Sequence, residues 1–226
     1  MPNALKLGNL TIDPTLRYVL IVRHLQQLKA PDAAADDWLP NMPIDWNVVG
    51  PQIPLIRAAY LQDVPIEVAV CSHFARTLQT LAFLMPQAKK ILRSLAVTPV
   101  DHKSVHGTWA FLSRLEGETA AECFALAPDV FISAGHDMMV EARGMAAKLL
   151  DDGQIGAIVS HNPLCEALTA EYFGGIDEMP MKNYRKGDIG VMIFDGENPT
   201  GFHFLPAPPV PVSPHILAAD GMKVKF

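Results

Sequence analysis

The chain has 226 residues, half of them hydrophobic, which is enough to bury a sizeable core in one large domain. A formal net charge of −6 argues against a nucleic-acid or anionic-membrane surface and leaves room only for a small, locally basic anion pocket. Cys71, Cys123 and Cys165 lack CxxC spacing and read as reduced thiols in or near the core, so neither a disulfide frame nor a structural metal is expected. Residues 1–9 hold no apolar signal-like run and no stretch reaches membrane-spanning length, which points to a soluble cytoplasmic protein.

The first strong element is Tyr18-Val19-Leu20-Ile21-Val22, an unbroken apolar run that ends abruptly in Arg23-His24. It reads as a buried parallel strand, and ligands in open α/β sheets sit just beyond the carboxyl ends of such strands. Residues 25–49, punctuated by Pro31, Pro40 and Pro43, are expected to loop over that strand end. Ile53, Ile56, Ala59 and Tyr60 then fall at helical spacing within residues 50–61, although Pro54 fits a helix less well than Pro51.

Residues 66–71 predict a second short strand, and Ser72 follows as the expected cap of a helix carrying Arg76. Anions are favoured at such a positive helix end. A third strand is expected over 89–99, while 100–115 has no clear pattern. Residues 118–127 predict a short helix ended by Pro128. Residues 137–150 predict an amphipathic one, with Asp137 as its cap.

A further strand is predicted at 155–160 and meets His161-Asn162-Pro163, where Asn162 can cap and Pro163 suits the first helical position. Gly174-Gly175 should stop that helix. Residues 190–194 and 202–205 read as a closing strand pair, and residues 206–226 as a proline-rich, extended arm outside a single domain spanning 1–205.

Three strand ends thus present Arg23-His24, Arg76 and His161. Guanidinium groups hold phosphoryl oxygens through forked hydrogen bonds, and an imidazole can accept a phosphoryl group that water later removes. With these motifs the chain resembles the histidine phosphatase superfamily, the phosphoglycerate mutase-like family. Val22-Arg23-His24-Leu25 stands where that family has an Arg-His-Gly type motif. The run Ser72-His73-Phe74-Ala75-Arg76-Thr77-Leu78-Gln79-Thr80 stands for its Ser-x-x-x-Arg-x-x-Gln-Thr, and Val159-Ser160-His161-Asn162-Pro163 completes the set. The resemblance covers roughly residues 17–205.

The resemblance implies a three-layer α/β/α sandwich around a mainly parallel sheet, with no metal and no cofactor. It makes His24 the phosphorylated nucleophile, with Arg23, Arg76 and His161 forming the phosphate pocket and Ser72 and Asn162 beside the substrate. Two positions depart from the pattern. Leu25 replaces a small residue and is expected to tighten or displace the pocket. Lys103 stands where many members carry a glutamate as general acid, leaving Asp101, His102 and His106 as candidate substitutes or plain polar loop residues. His106, four residues after His102, gains no metal-site reading without a third ligand.

The function implied is a phosphohydrolase working through a phosphohistidine on a small phosphoester or a phosphorylated protein side chain. A catalytically weak member that binds a phosphorylated ligand or partner through the same pocket is the alternative.

Overall fold

The computed structural model describes residues 5–28, 43–98 and 119–210. Strands β1 (Lys6–Leu7) and β2 (Leu10–Thr11) form a small antiparallel pair apart from the main sheet. Among the described residues the main sheet has six strands: β3 (Arg17–Arg23), β4 (Val68–Cys71), β5 (Lys90–Arg93), β6 (Ile155–Ser160), β7 (Ile189–Asp195) and β8 (Asn198–Leu205). Their spatial order is β5-β4-β6-β3-β7-β8. The first four in that order run parallel; β7 is antiparallel to β3, and β8 to β7.

The apolar run of β3 needs no polar alternation because both faces of the sheet are covered. Val19 and Ile21 face one core, shared with helices α4 (Ala120–Leu126), α5 (Pro128–Leu149) and α6 (Leu164–Phe173). Tyr18, Leu20 and Val22 face the other, shared with α1 (Trp46–Val49), α2 (Gln52–Ile56) and α3 (Ala75–Leu84). The result is the expected three-layer α/β/α sandwich around a mainly parallel sheet. Free Cys71, Cys123 and Cys165 are buried in it. Among the described residues no helix is long and apolar enough to cross a membrane.

Several element boundaries differ from the sequence reading. The helix expected over 50–61 is α2 running into a π-helical turn, Arg57–Leu61, closed by Gln62 N–H donating to the Arg57 carbonyl at 2.6 Å. Pro54 is tolerated because it lies in the first turn, where backbone N–H groups have no intrahelical partner. Pro128 is the first residue of α5 as well as the stop after α4, so Asp137 lies inside a 22-residue helix and is not its N-cap. Phe131, Ala134 and Gly135 continue the buried stripe of Met138, Met139, Ala142, Met145 and Ala146 back to Pro128. That burial outweighs the weak helix propensity of Val130, Ile132 and Gly135.

Helices α3 and α6 begin two residues and one residue later than their expected caps. Phe74 and Pro163 occupy the N-cap positions, without side-chain capping bonds. Gly174, in the left-handed conformation (φ 79°), ends α6 as expected. The expected closing pair is the β7–β8 hairpin, with β8 starting earlier than anticipated. The start of the proline-rich arm lies against the body: Tyr60 Oη donates to the Pro206 carbonyl (2.7 Å), and Ala207 N–H donates to Asp188 Oδ1 (2.6 Å).

Two glycines of α5 make opposite demands. A Cβ on Gly135 would lie 2.5 Å from the Ala167 carbonyl oxygen of α6, backbone that cannot swing aside; around Gly144 nothing stands within 4 Å. Gly135→Ala should therefore destabilise the fold by about 1–3 kcal/mol through overpacking. Gly144→Ala should stabilise it by up to about 1 kcal/mol through helix propensity. Urea unfolding of both variants checks the pair, and equal effects would contradict this packing.

Candidate active site

Parallel pairing brings the carboxyl ends of β3, β4 and β6 to one edge of the sheet, with Arg23 opposite Ser160 and Cys71 opposite Val159. The ladder extends one residue past β3, where His24 N–H donates to the Ser160 carbonyl at 3.0 Å. His24 is 3% exposed, and its Nδ1 lies 2.6 Å from the Leu25 carbonyl oxygen. A carbonyl only accepts, so Nδ1 carries the proton and Nε2 keeps the lone pair.

The His161 ring stands beside it, centroids 4.9 Å apart and 2% exposed. Its Nε2 is 2.7 Å from Ser72 Oγ, and its buried Nδ1 has no hydrogen-bond partner among the described residues. When Ser72 donates to Nε2, the Nδ1–H becomes a donor to whatever occupies the pocket. The Phe74 ring packs in a T-shape with His161, centroids 5.0 Å apart, and the Arg76 guanidinium lies over the same phenyl ring, 4.6 Å from its centroid. Arg76, in the first turn of α3, is buried. So is Arg23, whose guanidinium donates through Nη1 to the Tyr184 carbonyl while its Nε has no hydrogen-bond partner among the described residues.

The charges explain the protonation states. Burial is the largest cause holding His24 well below the usual histidine range, aided by the positive charges of Arg76, Lys186 and Arg23 and opposed by the bond to the Leu25 carbonyl. Burial also dominates at His161, followed by His24, Arg76, Arg23 and Lys186. Two neutral imidazoles thus sit among fixed cations, an arrangement that favours an oxyanion and leaves one ring nitrogen free to attack it.

Of the residues singled out in the sequence, Arg23, His24, Arg76 and His161 converge. Ser72 is not the helix cap. Fully buried, its hydroxyl bonds His161, lies 2.8 Å from Thr77 Oγ1 and accepts the Phe74 N–H at 3.2 Å, so its place is behind the imidazole. Asn162 follows His161 at the entrance to α6 and is half-buried. Asp101, His102, Lys103 and His106 lie outside the described residues. Leu25 does not crowd the pocket: its N–H donates to Thr80 Oγ1 (3.0 Å), and its side chain is fully buried in the core on the α2–α3 face. Sequence reasoning missed Lys186, Tyr184 and Glu166. The sole local signal for the first two is a turn pattern, Gly187-Asp188, before the closing strand.

Solved structures similar to this chain include the protein histidine phosphatase SixA complexed with tungstate (20% identity, TM-score 0.53, 83% of this chain and 94% of that one). They also include phosphoglycerate mutase from Bacillus anthracis (14% identity, TM-score 0.54, 86% and 93%). A third is phosphoserine phosphatase from Entamoeba histolytica with 3-phosphoglyceric acid (13% identity, TM-score 0.55, 82% and 96%). The chain has the histidine phosphatase superfamily fold. No protein-family model matches the sequence, and a search of curated proteins finds no match. On the histidine phosphatase fold, the crevice at the carboxyl ends of β3, β4 and β6 is where His24 and His161 meet.

Keeping both imidazoles neutral has a stability signature. An unfolded histidine takes up a proton as pH falls through about 6.5, whereas His24 and His161 resist protonation to well below that value. The unfolded state then binds more protons, so this contribution is present above about pH 6.5 and is lost as pH falls below it. Urea unfolding at stepped pH should show His24→Asn losing less stability than the parent between neutral and mildly acidic pH. Parallel pH curves would contradict a neutral, buried His24.

Proposed function

We propose that the protein is a phosphohydrolase that passes the phosphoryl group of its substrate to His24 Nε2 and then to water. The supporting observation is the pairing of His24, its Nδ1 proton held by the Leu25 carbonyl, with His161 Nδ1 and Arg23 Nε, two buried nitrogens that lack partners among the described residues. In this reading Arg23, Arg76 and His161 hold the three non-bridging oxygens while the Nε2 lone pair attacks phosphorus and the ester oxygen departs. The phospho-His24 bond is then cleaved by water, which returns inorganic phosphate and the free imidazole. Ser72 acts from behind by holding His161 in the tautomer that donates through Nδ1.

The substrate class follows from leaving-group chemistry. Lys103 stands in place of a general acid, and an alkoxide leaves poorly without a proton, whereas an aryl oxide or an imidazole leaves readily. We therefore assign the protein a preference for activated phosphoryl groups, phosphohistidine of a protein side chain or aryl phosphates, over sugar or glycerate phosphates. The similarity to SixA, a protein histidine phosphatase, supports the same choice.

Turnover of a phosphoryl substrate should leave an acid-labile phosphate on His24 in acid-quenched protein, found by mass spectrometry. Label on another residue, or normal activity in His24→Ala, overturns the assignment. Arg76→Ala and His161→Ala should each lower activity by roughly two to four orders of magnitude without unfolding the chain. EDTA should change nothing. Across phosphate esters of graded leaving-group basicity the rate should fall steeply. A flat series that turns steep in Asp101→Asn or His102→Ala would instead assign the proton to that residue.

A further inference from the structure

Glu166 is a fully buried carboxylate that the reaction above leaves unused. It lies in the first turn of α6, five residues after His161. Its Oε1 accepts the Tyr184 N–H at 2.9 Å, and the Tyr184 carbonyl on the same residue accepts the Arg23 guanidinium. Its Oε2 has no hydrogen-bond partner among the described residues. One residue of backbone, Tyr184, thus separates a buried carboxyl group from the arginine assigned to the phosphoryl oxygens.

We propose that Glu166 is a positioning residue that acts through Arg23: its carboxylate anchors Tyr184 beneath the guanidinium and, by its charge, sets how tightly the pocket holds a dianion. This inference rests on reading the pocket as an oxyanion site. An ionised Glu166 offsets part of the Arg23 charge and weakens the dianion's hold. A protonated Glu166 keeps the Tyr184 bond while releasing that charge to the ligand.

The groups facing Glu166 leave it free to play this part. Burial, the main cause, pushes its carboxyl up to about 7, against the pull of Arg23 on β3 and of the Tyr184 N–H. Asp188, from the loop before β7, raises it further. Cys165 on its own helix and Tyr184 on the facing loop are both driven well above their ordinary values, chiefly by burial, and stay uncharged near neutrality. His24 and His161 are neutral over the same range. Coupling is reciprocal: if a proton on Glu166 tightens dianion binding, a bound dianion draws a proton from solvent onto Glu166.

Sulfate is the suitable probe, because its charge does not change across the range of interest. Calorimetric titration of the full chain should show sulfate affinity falling about fivefold or more as pH rises from about 6 to about 8.5, with proton uptake on binding near pH 7. Glu166→Gln keeps an acceptor for Tyr184 and removes the charge. It should bind sulfate at every pH about as tightly as the parent does at acid pH, with no linked proton. The same pH curve in parent and variant overturns the role of Glu166 and leaves the oxyanion pocket standing. No sulfate binding by either protein overturns the pocket reading and this inference with it. Should the variant not fold, the carboxyl carbon resonance of Glu166 in the parent decides: sulfate must raise its titration midpoint, and an unmoved midpoint overturns the proposal.

Discussion

The structure depends on two imidazoles being kept uncharged at the end of a buried sheet, within reach of fixed positive charge. Burial alone favours the neutral ring, because a low-dielectric surrounding penalises the imidazolium, and neighbouring guanidinium groups reinforce the penalty. The same cations that suppress protonation of His24 and His161 would attract a dianion. A pocket of this kind is preorganised: its dipoles and charges are paid for by folding and need not reorient when charge moves in the reaction. The carbonyl of Leu25 adds direction, since by taking the Nδ1 proton it leaves the lone pair of His24 on Nε2.

Holding that pocket requires support from well outside it. The Arg23 backbone N–H donates to the Asp188 carbonyl, and its own carbonyl accepts the Gly187 N–H, so the loop before β7 is laced to the end of β3. Asp188, itself buried, closes the loop through Arg185 N–H (2.6 Å) and also receives Ala207 N–H from the beginning of the proline-rich arm. On the other side of the sheet end, Thr77 Oγ1 lies 2.8 Å from Ser72 Oγ and can donate to it, leaving the Ser72 proton for His161 Nε2. His24, His161 and Arg23 are therefore each oriented by a hydrogen bond to a residue that is itself held, the condition for keeping a local geometry constant.

One departure from the pattern that the resemblance suggests is absorbed by the fold. Leu25 is harmless because the chain turns after His24 and sends that side chain into the core, where its neighbours leave it no exposure. Identities of 13–20% with solved structures of the same fold agree with what such a sheet demands. Strands buried on both faces need apolar residues of fitting volume rather than particular ones. The residues at strand ends are constrained by chemistry instead.

Much of this was legible in the sequence. The apolar runs of β3 and β6, each ending in a histidine, and the Ser-x-x-x-Arg segment after β4 carry the periodicity of buried strands and the side chains of an anion site. Those features locate Arg23, His24, Arg76 and His161 and the fold that joins them. Local signals misplaced the caps of α3, α5 and α6, because a serine, an aspartate or an asparagine looks like a cap wherever it precedes a helix. Tertiary burial decides where each helix starts. The sequence also could not show that Ser72 stands behind His161, that Leu25 points into the core, or that Tyr184 and Glu166 buttress Arg23 while the charge of Lys186 acts on His24. Those facts arise from contacts between segments 15 to 161 residues apart, such as Tyr184 with Thr169 and Arg23. Only the closed fold brings them within hydrogen-bonding or Coulombic range.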